Sequence, residues 1–139
     1  MKIITAELTI PTKGNCDVIN ITEEVQTKLR ESKLKEGTCN VFSIGSTASV
    51  TTIEYEPGLI KDLPAVLDKL IPEYSKYHHN DAWGDNNGHA HIRSAIIGTS
   101  INIPFIKGQL ILGTWQQVVL IDFDNRKRTR RVAVQVTGE

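Results

Sequence analysis

The four histidines of this 139-residue chain, His78, His79, His89 and His91, fall within one polar stretch, Tyr77-His78-His79-Asn80-Asp81-Ala82-Trp83-Gly84-Asp85-Asn86-Asn87-Gly88-His89-Ala90-His91. Two carboxylates, Asp81 and Asp85, and three side-chain amides are interleaved with them. Imidazoles and carboxylates bind borderline metals and move protons near neutral pH, so the chemistry of the chain concentrates here. A long polar connection inside one small domain is more often functional than idle, although Asn and Gly turns can also make a plain solvated loop. Backbone geometry limits how these groups combine. His89 and His91 share a face only on extended chain; on a helix they stand about 200° apart. With a helix expected to begin near Gly88, a metal site of His79, His89 and His91 needs His89 at an irregular helix entrance. His91 paired with a loop histidine is the simpler arrangement.

Three other segments offer groups to the same site. Glu54 closes the strand Thr52-Ile53-Glu54-Tyr55-Glu56, where a carboxylate serves as general base or metal ligand, or simply faces solvent. Gly45-Ser46-Thr47 brings hydroxyls and backbone N–H groups able to hold an anion, without the lysine of a P-loop. Gly113-Thr114-Trp115-Gln116 interrupts an apolar strand; Trp115 is expected in the core and Gln116 on a substrate. The basic run Arg126-Lys127-Arg128-Thr129-Arg130-Arg131 reads as a solvated hairpin tip. Arg130 and Arg131 point to opposite sheet faces, so one of them can reach a phosphate. No aromatic platform accompanies the run, which argues against nucleic acid.

The elements that must position these groups follow from periodicity and punctuation. Met1–Ile10 alternates as a strand and Pro11–Asn15 turns it; Asp17–Ile21 is a second short strand. Thr22 is a candidate N-cap for a helix carrying Glu23 and Glu24 in its first turn and Val25 and Leu29 on one face, ended near Gly37. Thr38–Ile44 and Ser49–Tyr55 are β-branched strands. A helix is expected over Leu59–Leu70, with Asp62 as cap, Pro64 in its first turn and Pro72 as terminator. Glu73–Gly88 reads as loop, Ala90–Ile97 as a short helix, and Thr99–Ile106, Gln109–Phe123 and Arg128–Val136 as closing strands. Lys107-Gly108 and Asp124-Asn125 supply the turns between them. The sum is one α+β domain over residues 1–139, an antiparallel-rich β-sandwich with two or three helices.

Composition narrows the partners. Forty per cent hydrophobic and 23% charged residues suit a folded domain, and 16 basic against 16 acidic side chains leave no excess positive charge for nucleic acid or an anionic membrane. Thr5, Glu7 and Thr9 break any apolar signal core, and no run is long enough to span a bilayer. Cys16 and Cys39 are too few for a zinc motif or disulfide scaffold; two reduced thiols in a cytoplasmic protein, or a single bridge, are the readings left.

In order, Ser46-Thr47-Ala48-Ser49, Glu54, His79, Asn87, Ala90-His91-Ile92, Gly98, Pro104, Gly108, Leu112-Gly113-Thr114-Trp115-Gln116, Arg130-Arg131 and Gly138-Glu139 resemble the YjbQ-like family over nearly the whole chain. The resemblance implies a compact α+β sandwich assembled as a homotrimer. It also implies a secondary thiamine-phosphate-synthase activity, joining a pyrimidine diphosphate to a thiazole phosphate with release of pyrophosphate. Carried over by position, His79 and His91 match the family's loop and helix histidines, Asp85 a common acid, Asn87 a recurrent Asn, and Glu54 the acid after the hydroxyl-rich strand. Many members carry a histidine where this chain has Gly45, so a three-histidine site using that position is absent here.

Three functions follow as expectations. The first is an enzyme acting on a phosphorylated small molecule, with Glu54, His79, Asp85 and His91 catalytic and Ser46, Thr47, Asn87, Gln116 and Arg131 binding substrate. A divalent metal, Mg or Zn, would stabilise the leaving pyrophosphate, and no organic cofactor is indicated. The second is a metal-dependent hydrolase built on His79 and His91. The third is a non-catalytic homotrimeric ligand-binding protein.

Overall fold

Val118-Val119-Leu120-Ile121 is an unbroken apolar run, and the fold is arranged so that both of its faces are buried. The computed structural model describes residues 1–139. Its elements in chain order are β1 (Lys2–Thr12), β2 (Asp17–Asn20), α1 (Thr22–Ser32), β3 (Glu36–Ile44), β4 (Ala48–Glu54), α2 (Pro57–Leu70), α3 (His78–Trp83), α4 (Gly88–Ile97), β5 (Ser100–Ile106), β6 (Gln109–Leu110), β7 (Gln116–Asp122) and β8 (Arg128–Gly138). Five strands form one antiparallel sheet in the order β1-β8-β3-β5-β6, and three form a second in the order β2-β7-β4. The α+β sandwich expected from the sequence is the fold observed.

Strand alternation sorts the run in β7 between two cores. Val118 and Leu120 face a core shared with Val132, Val134 and Val136 of β8, Cys39 and Val41 of β3, and Val25 and Leu29 of α1. Val119 and Ile121 face the other way, against Leu67 of α2 and Ala90 of α4. The layers are therefore sheet, sheet and helices, with β7 in the middle.

Several local expectations are corrected. The stretch Gln109–Phe123 is not one strand: the Gly113 segment breaks it into β6 and β7, which belong to different sheets. Trp115 lies in that break and is 70% exposed rather than core. Helix α2 begins at Pro57, where Glu56 accepts hydrogen bonds from the Gly58 and Leu59 N–H groups, so Asp62 is not its cap and Pro64 lies inside it. Thr22 is the first residue of α1 rather than its cap; Asn20 Oδ1 accepts from the Thr22 N–H. Pro11 continues β1, tolerated because β1 is an edge strand. Asp124-Asn125 does not close a hairpin, since β7 and β8 lie in different sheets. The polar Glu73–Gly88 stretch contains the one-and-a-half-turn helix α3, ended by Gly84 in the left-handed region. Cys16 and Cys39 are buried and free, with burial pushing both thiols up to about 11.

Candidate active site

The two sheets are joined at one end of the sandwich by the crossover from β7 to β8, and there the apolar core gives way to buried charge. Asp122 and Asp124 are fully buried, as is most of Arg130, Thr47, Thr12 and Asn87. Alternation places Asp122 and Asp124 on one side of the chain and Arg128 and Arg130 on the matching side after the turn. Arg130 donates to Asp122 through Nε at 2.7 Å and a terminal nitrogen at 2.8 Å, a bidentate pair, and to Thr47 Oγ1 at 2.6 Å. Thr12 and the Asp124 N–H also donate to Asp122.

Asp124 carries the network outward. Its Oδ2 accepts from Thr47 Oγ1 at 3.1 Å and from Arg128 at 2.8 to 2.9 Å. Its Oδ1 accepts from the Asn125 N–H at 2.8 Å and from Asn87 Nδ2 at 3.3 Å. Burial raises the Asp124 pKa, but the Asn125 N–H, Arg128 and Asn87 outweigh it and leave the carboxyl below its ordinary value.

Asn87 converts that fixed charge into an orientation. Because its amide nitrogen faces a carboxylate, its Oδ1 must be the end that meets His79 Nε2, at 3.1 Å. His79 Nε2 is therefore the protonated nitrogen of the neutral ring, and Nδ1 holds the free lone pair. The His91 ring centroid lies 4.4 Å from that of His79, tilted by 57°. Burial first, then the neighbouring His79, holds His91 below the ordinary histidine value, while Asp124 and Asp85 pull it part of the way back. Both rings are half-buried and open to solvent on one side.

The chain brings them together because α3 and α4 meet at a tight junction. Asn80 Oδ1 accepts the Gly88 N–H at 2.9 Å, and a Cβ at Gly88 would lie 2.6 Å from that of Tyr77, so only glycine fits. His79 then projects from α3 and His91 from α4 beside the Asp124 crossover.

The other expected site residues separate. His89 is buried on a different side of α4, with Nδ1 lacking any partner. No three His, Cys, Asp or Glu side chains are arranged to hold a metal ion, so His79, His89 and His91 do not form a three-imidazole site within one chain. Glu54 is exposed at the far end of β4: Ala48 pairs with Asp122 whereas Glu54 pairs with Gln116, about 20 Å along the strand. Gln116 is engaged locally, its Oε1 taking the Gly113 N–H and its Nε2 donating to Thr52. Arg131 points outward and pairs with exposed Glu7; Arg130 is the inward member of the pair. Thr47 joins the network, exposed Ser46 flanks it, and at Gly45 a Cβ would stand 3.2 Å from the Arg130 guanidinium. Asp85 lines a cleft of about 110 Å³ with Asn87, Asp124, Asn125, Arg126 and Arg128. Sequence reasoning missed Asp122, Asp124, Arg128 and Thr12, although Asp-x-Asp facing Arg-x-Arg across a short turn was a usable signal.

Fold and site together define a class: a three-layer antiparallel α+β protein with a buried Asp–Arg network at one end that orients one ring of a half-buried histidine pair. The family described as UPF0047 protein YjbQ-like matches residues 6–139, and the chain belongs to it. A UPF0047 protein of Methanothermobacter thermautotrophicus is 35% identical, covering 100% of this chain and 95% of its own. One from Archaeoglobus fulgidus is 34% identical, over 93% of this chain and 98% of its own. Among solved structures, a YbjQ-like protein of unknown function from Sulfolobus solfataricus P2 superposes with a TM-score of 0.94 at 28% identity, covering 99% of both chains. A hypothetical protein from Aeropyrum pernix K1 gives a TM-score of 0.91 at 32% identity, over 98% of this chain and 99% of that one.

Proposed function

We propose that this protein is an enzyme acting on a phosphorylated small molecule, with His79 as its proton-handling base and thiamine-phosphate-synthase-like coupling as the candidate reaction. The observation that carries the reading is the chain His79–Asn87–Asp124, which fixes the ring and leaves Nδ1 as a free base beside His91. Arg126 and Arg128 in the adjoining cleft supply cationic partners for phosphate oxygens, and exposed Ser46, next to Thr47 of the network, supplies a hydroxyl. In the coupling, the thiazole nitrogen forms a bond to the pyrimidine's methylene carbon as the carbon–oxygen bond to diphosphate breaks. Pyrophosphate leaves with that electron pair, and the arginines stabilise its charge. His79 Nδ1 takes a proton from an amino group of the pyrimidine as the carbon–oxygen bond breaks, and returns it to that nitrogen once the thiazole nitrogen has added to the methylene carbon.

Glu54, Gln116 and Arg131 have no part in this reading within one chain. Its partners are the phosphorylated substrate and two further copies of the chain, a homotrimer. Hydrolysis assisted by a divalent ion is the second reading, favoured by the 4.4 Å approach of two imidazoles. It requires a ligand from outside this chain.

The test is turnover of the two phosphorylated substrates by purified protein, with thiamine phosphate and pyrophosphate both measured. His79→Gln should lower turnover by about 10² or more, the ordinary weight of a general base. Absence of turnover, or an unaffected His79→Gln variant, overturns the coupling reading. Stoichiometric zinc in the purified protein, with phosphoester hydrolysis that chelation abolishes, would move the assignment to a hydrolase.

A further inference from the structure

A second cleft of about 410 Å³ opens on the other side of Asn125, within the range that accommodates a small ligand. Asparagines 80, 86 and 125 line it together with Tyr74, Lys76 and Glu73. Two of the amides are held by one end only. Asn80 Oδ1 is occupied by the Gly88 N–H at 2.9 Å, which leaves its Nδ2 without a protein partner. Asn125 Nδ2 donates to the Asp85 and Asn86 carbonyls at 2.8 and 3.3 Å, which leaves its Oδ1 unused. The residues that line the cleft thus include one free amide donor and one free amide acceptor, each on a side chain anchored by its other end. Orientation set before binding lowers the entropic cost of recognition. Tyr74, 94% exposed, adds an aromatic face at the rim.

Charge in the cleft selects against an anion. Glu73 and Lys76 offset each other there; in the neighbouring 110 Å³ cleft that shares Asn125, Asp85 and Asp124 face Arg126 and Arg128, but Asp124 is taken up by Arg128 and Arg126 makes no ion pair. We infer that the larger cleft binds an uncharged planar ring whose edge carries a hydrogen-bond donor beside an acceptor, while an anionic group on the same ligand turns toward Arg126. Asn80 Nδ2 donates to the ring acceptor, Asn125 Oδ1 accepts from the ring donor, and Tyr74 stacks on its face. The cleft is linked to the histidine pair through chain neighbours, since Asn80 follows His79 and Asn86 precedes Asn87. This deepens the proposed function and rests on its reading of a phosphorylated ligand, while the subsite recognises such a ring whether or not the coupling chemistry occurs.

Binding without turnover separates the two claims. Titrations of the isotopically labelled protein would use cytidine monophosphate, uridine monophosphate and ribose 5-phosphate as probes, read by backbone amide shifts. Cytosine places a ring nitrogen beside an amino group and uracil a ring N–H beside a carbonyl, so the first two arms distinguish amino from lactam edges. At least one nucleotide should shift Tyr74, Asn80, Asn86 and Asn125 and bind about three- to tenfold tighter than ribose 5-phosphate, the effect of one or two net hydrogen bonds. Asn80→Asp keeps the oxygen that accepts the Gly88 N–H and removes the free donor. It should erase most of the nucleotide's advantage over ribose 5-phosphate, a ratio that cancels its added charge. Tyr74→Ala, at an exposed position, should reduce the same ratio. Equal affinity for all three probes, no shifts at millimolar probe, or a ratio unchanged in Asn80→Asp would overturn the inference.

Discussion

At His79 the network removes a freedom that a surface histidine ordinarily keeps, the choice of which ring nitrogen bears the proton. The choice is made two residues away in the hydrogen-bond chain, where Asp124 dictates which way the Asn87 amide points. His89 and His91 illustrate the opposite use of the same side chain. Burial holds both below the ordinary histidine value of about 6.5; for His89, Arg93 adds to this while Glu73, Asp124 and Asp68 oppose it. Between the folded values and 6.5 the unfolded chain binds more protons than the folded one, so stability rises with pH across that window. Urea unfolding followed from about pH 8 downward should therefore show stability lost once pH falls below about 6.5. His89→Leu, which removes the more deeply buried ring, should flatten that dependence; an equally steep profile would mean His89 does not carry it.

At the scale of elements, the buried pair Asp122–Arg130 ties β7 of one sheet to β8 of the other, with Thr12 of β1 and Thr47 before β4 closing its remaining valences. Removing one partner strands a buried charge, so Asp122→Ala should cost about 3–5 kcal/mol in denaturant unfolding. Asp122→Leu combined with Arg130→Met should cost clearly less than the single change. A cost within experimental error for Asp122→Ala would contradict the network's structural role. The strands and main helices were legible from periodicity because each has a single buried face or, in β7, two. The breaks were legible only in part. Gly113–Gln116 marked an interruption within Gln109–Phe123, but not that Gln116 folds back on the Gly113 N–H and sends the chain to another sheet. Helix α3 was missed because none of its residues is buried, so no apolar stripe marks it.

Over the whole molecule, the histidine-rich segment was the legible part of the candidate site, and the groups that pack around it were not. His79, Asn87 and His91 do meet, whereas Glu54, Gln116 and Arg131 sit elsewhere, since linear motifs do not say at which end of a strand a residue falls. The partners that matter, Asp122 and Asp124, were hidden at the end of an apolar strand where acids are rare. The outer face of the five-stranded sheet leaves Phe42 and Ile44 exposed, at 41% and 36%, and the homotrimer proposed above would cover such a face. Sedimentation of wild type as a trimer and of Phe42→Glu as smaller species would support it; a monomeric wild type would remove it. The central claim, that Asp124 acting through Asn87 presents His79 Nδ1 as a free base, is tested most directly by the imidazole nitrogen shifts of His79. Measured at about pH 8, above the ordinary histidine value, they should report the proton wholly on Nε2 in the wild type, falling in Asn87→Ala to the partial Nε2 preference of a free imidazole. A proton on Nδ1 in the wild type, or an identical tautomer in Asn87→Ala, would contradict it.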